Sequence, residues 1–193
     1  MTPDKTLPVP VPHADRPAAP STRPGGHEQL RTVARAGAVV YATTLLATLI
    51  GAAVPALAIA TRPHPTLLGT TAEAAAILEH NLRLLCLPFI LAAFGFARGR
   101  LSRLAGDLIV TAIALGNPIT VGLALGRDTA TLAPYLAGLP VEWAALSLSS
   151  AVWLLARRHT LPRRTLLAYA AAVVVLAAIA ATLETFASPH RAR

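Results

Sequence analysis

Residues 165–187 read TLLAYAAAVVVLAAIAATLETFA, a stretch with a single charged group, Glu184. At 1.5 Å per residue it reaches roughly 34 Å as a helix, enough to cross a hydrocarbon core of roughly 30 Å. Four more apolar stretches precede it, at residues 36–60, 82–97, 104–126 and 139–156. The chain is 54% hydrophobic and 13% charged, against about 25% charge in a soluble domain. The expected fold is all-α, a polytopic transmembrane bundle of about five spans with a short extra helix before the second. Residues 1–30 are expected to form a disordered Pro-rich cytoplasmic tail, residues 31–189 the helical membrane domain, and residues 190–193 a short basic tail.

The flanking segments follow from composition. Residues 1–28 hold seven prolines, too many for a helix or a core. The first span, at 36–60, ends in Ala58-Ile59-Ala60, which has the small-residue look of a signal-peptidase site. The apolar run is longer than an h-region of about 7–15 residues, so it reads as an uncleaved span. Thr70-x-x-Glu73 is a capping box. The helix it opens places Ile77, Leu78, Asn81, Leu82 and Leu85 on one face at helical spacing. Glu79 and Arg83 form an i,i+4 pair on the other. Pro88 is expected to kink the second span, and Gly116-Asn117-Pro118 to break the third. Gly122-x-x-x-Gly126 is a close-approach motif.

Net charge is +8, but the arginines sit in short turns between apolar runs, with no basic helix interleaved with aromatics. That pattern argues for membrane topology and against nucleic acid. With the N-terminus inside, nine span-flanking arginines fall on the cytoplasmic side and five outside, which predicts N-in and C-out.

Only nine Asp and Glu occur in the chain. An ionisable group at the bilayer centre costs roughly 2.5–3.5 kcal/mol on insertion scales. Asp107 lies toward the cytoplasmic end, with Arg103 four residues earlier as its expected mate. Glu79, Asn81, Glu142 and Glu184 share the outer half of the membrane, and Asn117 lies midway through span three. Glu184 stacks with Ala181, Ala177 and Ala170, and Glu142 with Ala145 and Ser149, on small-residue faces. The five residues Glu79, Asn81, Asn117, Glu142 and Glu184 are expected to form a polar cluster inside the bundle. Such a cluster either fixes the packing or lines a site for a proton, a cation or a cationic peptide.

Catalytic and cofactor signatures are lacking. His80 has no second His at metal spacing, and Cys86 is the sole cysteine, so neither a metal nor a disulfide is expected. Ser147, Ser149 and Ser150 read as helix-packing residues. No glycine-rich phosphate loop is present. The expectation is a nonenzymatic protein without a cofactor.

Short motifs carry a family resemblance. Ile77-Leu78-Glu79-His80-Asn81-Leu82 resembles the "il-x-N-N-l" element of the stage II sporulation protein M-like membrane family, with His80 where the first Asn is usual. Leu115-Gly116-Asn117-Pro118 resembles its mid-span "NG" element, with Pro in place of Gly. Gly138 to Ala144 resembles a shortened "lpHgilElpa" lacking the His. Ala180 to Pro189 resembles "AaliEafvtP". The motifs come in the family's order across residues 77–189. The resemblance implies a noncatalytic membrane scaffold or accessory subunit assembling with cell-envelope partners such as a peptidoglycan hydrolase complex. It also implies an alternative, an accessory of bacteriocin-like peptide export, maturation or immunity alongside transporter subunits. Association with further copies of itself is compatible with either.

Overall fold

In a computed structural model the described residues are 24–57, 70–132 and 136–186. Among them 87% are helical and none is in a strand. The helices are α1 (Gly26–Ala53), α2 (Thr71–Leu85), α3 (Leu87–Ala93), α4 (Arg100–Arg127), the single turn α5 (Thr129–Leu132), α6 (Leu139–Ala156) and α7 (Arg163–Phe186). Five units are long and apolar enough to cross a membrane: α1, α2 with α3, α4, α6 and α7. The protein is an all-α bundle with five candidate spans. The disordered-tail reading of residues 1–23, the small-residue site at 58–60 and the basic tail at 190–193 lie outside the described residues.

Helix α6 is the hub. It has 56% of its apolar window buried, against 17–28% in the other spans, and it packs on α1, α7 and α3. Trp143, Ala145, Ala151, Val152, Trp153 and Leu155 are all buried. Its apolar residues are spread over every side, which suits a helix covered all round.

The α1–α4 seam is built on glycine. A Cβ at Gly126 would meet Thr48 O at 2.2 Å, one at Gly122 would meet Thr44 O at 2.6 Å, and one at Gly51 would meet Leu123 O at 2.6 Å. The Gly122-x-x-x-Gly126 motif therefore does bring two backbones close, and α1 supplies Gly51 in return. Thr44 and Thr48 also face this seam region, and their hydroxyls bond back to Val40 O and Thr44 O.

Several boundaries differ from the sequence expectation. Helix α1 begins at Gly26, ten residues before the expected span. Its first turn is anchored from outside, because Glu28 pairs with His159 at 2.9 Å and Gln29 accepts from Tyr169 Oη at 2.9 Å. It stops at Ala53, two residues before Pro55, whose ring disfavours the α region at Val54.

The capping box at Thr70 is present with both reciprocal bonds, but the helix it opens is not a separate element before the second span: with α3 it forms that span, which starts at Thr71 rather than at residue 82. Its break falls at Cys86, between α2 and α3, rather than at Pro88. Pro88 has no N–H, and its ring would press on the carbonyl of Leu84. The chain therefore loosens on the N-terminal side of the proline. The Phe89 N–H turns to Cys86 O, and Leu85 O instead accepts from Ser149 Oγ at 2.6 Å. A serine on α6 thus satisfies the carbonyl that the break releases. Helix α3 ends at Ala93, short of Ala97. Gly95 adopts φ +74°, and Phe96 N to Leu91 O with Gly95 N to Ala92 O closes a Schellman motif.

The expected break at Gly116-Asn117-Pro118 is absent. Helix α4 runs unbroken through Pro118, which is fully buried. Packing against α1 along the helix overrides the local preference, and a bundle interior tolerates proline where neighbours re-satisfy the backbone.

Ser149 and Ser150 make a paired test of this arrangement. Ser149→Ala should lower stability in detergent by about 0.6–1.7 kcal/mol, the range for an interhelical polar bond. Ser150→Ala should be neutral or stabilising, because its buried hydroxyl has no partner among the described residues. Thermal unfolding of the purified chain reads both.

Candidate functional site

The sequence places Glu142 in the first turn of α6 and Glu184 in the last turn of α7. These helices run antiparallel, so the two ends meet. Gly138, just before α6, makes the contact. A Cβ there would lie 2.7 Å from Glu184 Cγ and 2.9 Å from Ala180 O. The missing side chain lets α7 seat its glutamate against the start of α6. Glu184 thereby sits against the start of α6, whose first turn carries Glu142.

Two amides complete the site. Asn117, in the middle of α4, faces the same cavity as the Glu142 side chain. Asn117, Glu142 and Asn81 of α2 line one small cavity with Leu84, Leu85, Ile113 and Leu146. Its volume, about 10 Å³, is on the scale of a single water, and its three polar side chains match the two to four partners a buried water needs. Among the described residues neither Glu142 nor Glu184 has an ion pair. Four of the five residues proposed from sequence, drawn from α2, α4, α6 and α7, therefore lie together.

The fifth does not join them. Glu79 is exposed and bonded to Arg83, the i,i+4 partner expected for it. Its helix turns Asn81 inward and Glu79 outward, so the two share a level but not a face. His80 is exposed beside Glu79. Ser149 spends its hydroxyl on Leu85 O, so His80 and Ser149 are not paired.

The cluster is recessed. Tyr41 Oη donates to Pro140 O at 2.9 Å, which sets Tyr41 beside the first turn of α6. Helix α1 continues from there to Ala53, roughly 18 Å farther, with α4 alongside. The carboxylates thus lie below the tips of the longest helices.

The chain matches no protein-family model, no curated protein and no solved structure. The site is characterised by its geometry: two adjoining carboxylates, two amides and a cavity for about one water inside a helical bundle.

Asp107 forms a separate site at the opposite, arginine-rich end. Its Oδ1 accepts from Trp153 Nε1 at 2.9 Å and pairs with Arg157 Nε at 3.3 Å. The expected mate, Arg103, instead donates to Ala97 O at 3.0 Å. Helical spacing brings Arg103 near Asp107, but α6 delivers a closer cation and a ring donor that no local spacing reveals.

Proposed function

We propose that this chain is a noncatalytic integral membrane scaffold or accessory subunit, resembling stage II sporulation protein M, that assembles with cell-envelope partners in a bacterial cytoplasmic membrane. In this reading the arginine-rich end is cytoplasmic and the carboxylate cluster lies in the outer half. The observation that carries it is the outward face of α2. Its exposed residues are Thr71, Ala72, Ala75, Ala76, Glu79, His80 and Arg83, with Leu84 as its only large apolar group. Other spans expose the side chains lipid prefers: Leu45, Leu46 and Leu49 on α1, Leu104 and Leu108 on α4, Val175 and Ile179 on α7.

Depth sharpens the contrast. The Ser149 bond sets Leu85 ten residues into α6, near that helix's middle. Arg83 and Glu79 are two and six residues away, within roughly 9 Å along the axis. A charged pair at that depth facing lipid is costly; against a protein neighbour it is not. Small residues beside it permit close helix approach. A photocrosslinking residue placed at Ala76 or His80 in native membranes should capture a protein neighbour, whereas one at Leu46 or Leu167 should label lipid. Equal lipid labelling at all four positions would refute the scaffold reading.

A second reading has its own observation. Glu142 and Glu184 adjoin without a cation among the described residues, which suits binding of protons or a cationic cargo in peptide export, maturation or immunity. Glutamine keeps the shape of glutamate and one acceptor oxygen but removes the charge. Under the scaffold reading, Glu142→Gln and Glu184→Gln should leave crosslinking at α2 and thermal stability within about 1 kcal/mol of the parent. Glu142→Leu, which orphans the amides, should cost about 1–3 kcal/mol. Under the transport reading, the glutamine variants should abolish pH-dependent flux in reconstituted vesicles.

A further inference from the structure

The arginine-rich end of the bundle holds a groove that the scaffold reading does not use. Helix α1 packs firmly on both α4 and α6, while α4 and α6 touch each other far less. Between them runs an open groove of about 380 Å³. Arg35 and Arg157 lie at one end with Asp107. The walls beyond are mainly apolar, including Val39, Val110 and Leu115. From Asp107 to Leu115 the groove follows α4 for roughly 12 Å.

Charge and shape together select the occupant. Asp107 is committed to Arg157 and to the Trp153 indole. Arg35 is exposed and has no ion pair among the described residues. Two guanidiniums face one carboxylate, so the polar end carries a net positive charge. A free anion would gain nothing from the apolar walls, and a zwitterionic head would gain little from the uncompensated arginine. We propose that this groove binds an anionic phospholipid, its phosphate on Arg35 and Arg157 and an acyl chain along Val39, Val110 and Leu115. The basic end is where lipid headgroups lie if the bundle crosses a membrane, and juxtamembrane arginines attract anionic lipid. The inference rests on the membrane setting alone and stands apart from the scaffold reading.

The full chain, stripped of lipid in detergent, is titrated with phosphatidylglycerol or phosphatidylcholine, and binding is read by native mass spectrometry and by the shift in melting temperature. Phosphatidylglycerol should bind and raise the melting temperature more than phosphatidylcholine. Arg35→Gln should weaken phosphatidylglycerol binding about five-fold, the loss of one basic contact worth ~1 kcal/mol. Ala114→Phe, which fills the groove, should weaken binding of both lipids. Arg164→Gln, an exposed arginine outside the groove, should behave as the parent. Equal binding of the two lipids, or parent-like binding by Arg35→Gln, would overturn the proposal. So would inorganic phosphate protecting as well as phosphatidylglycerol.

Discussion

Gly126→Leu should separate α1 from α4 and cost about 3 kcal/mol, the upper part of the range for overpacking a well-packed contact. The added Cβ would lie 2.2 Å from Thr48 O, 2.6 Å from Ala52 N and 2.9 Å from Gly51 C. All three are backbone atoms, so no rotamer change relieves the clash and one helix must move. The pair depends on this close approach, because helices in lipid associate mainly through close packing and polar contacts. Gly116→Leu on the same helix is the control. No atom of a neighbouring element lies within 4 Å of a Cβ there, and leucine is the better helix former by somewhat less than the ~1 kcal/mol that separates glycine from alanine. Thermal unfolding in detergent should show Gly126→Leu melting well below the parent and Gly116→Leu at or slightly above it. A Gly126→Leu protein that melts with the parent would disprove the glycine seam.

The second large effect is expected at the arginine-rich end. Trp153 is 1% exposed, and its ring fills the space that Gly106 leaves open, a Cβ at 106 falling 2.4 Å from Trp153 Cη2 and Cζ2. Trp153→Ala removes the ring and its bond to Asp107 and should cost about 3–5 kcal/mol. Gly106→Leu alone should also destabilise, because the new side chain meets the indole. In combination the leucine occupies part of the space the indole vacated. The double variant should therefore be more stable than the sum of the two single changes, by the 0.5–3 kcal/mol typical of contacting residues. Strict additivity would mean that Gly106 and Trp153 do not pack as described.

Much of this molecule is visible along single helices. The apolar runs locate all five candidate spans, Thr70-x-x-Glu73 starts α2, and the Glu79–Arg83 pair and the Gly122–Gly126 motif act within one helical turn or two. Counting arginines to orient the spans also brings Asn81, Glu142 and Glu184 to one level. That route fails for Glu79, because a shared level does not guarantee a shared face. It fails again for Asp107, where spacing nominates Arg103 and the fold supplies Arg157 and Trp153 from α6. Ser149 looks like a packing residue until the break at Cys86 exposes the carbonyl it serves. Gly138 carries no local signal of its contact with Glu184.

Properties that depend on one helix are therefore written in the chain: which segments are long and apolar enough to cross a membrane, where they are capped, which neighbours share a turn. Hydrophobicity and the 3.6-residue period act over a few residues and need no partner. Tertiary structure decided the rest. It carried α4 through Pro118, anchored α1 at Gly26, made α6 the hub, and set Glu142, Glu184, Asn81 and Asn117 around one recessed point. These outcomes depend on how closely two helices approach and at what height they meet. Backbone contact at a few glycines sets that approach, and only the assembled bundle reveals which glycines face which helix.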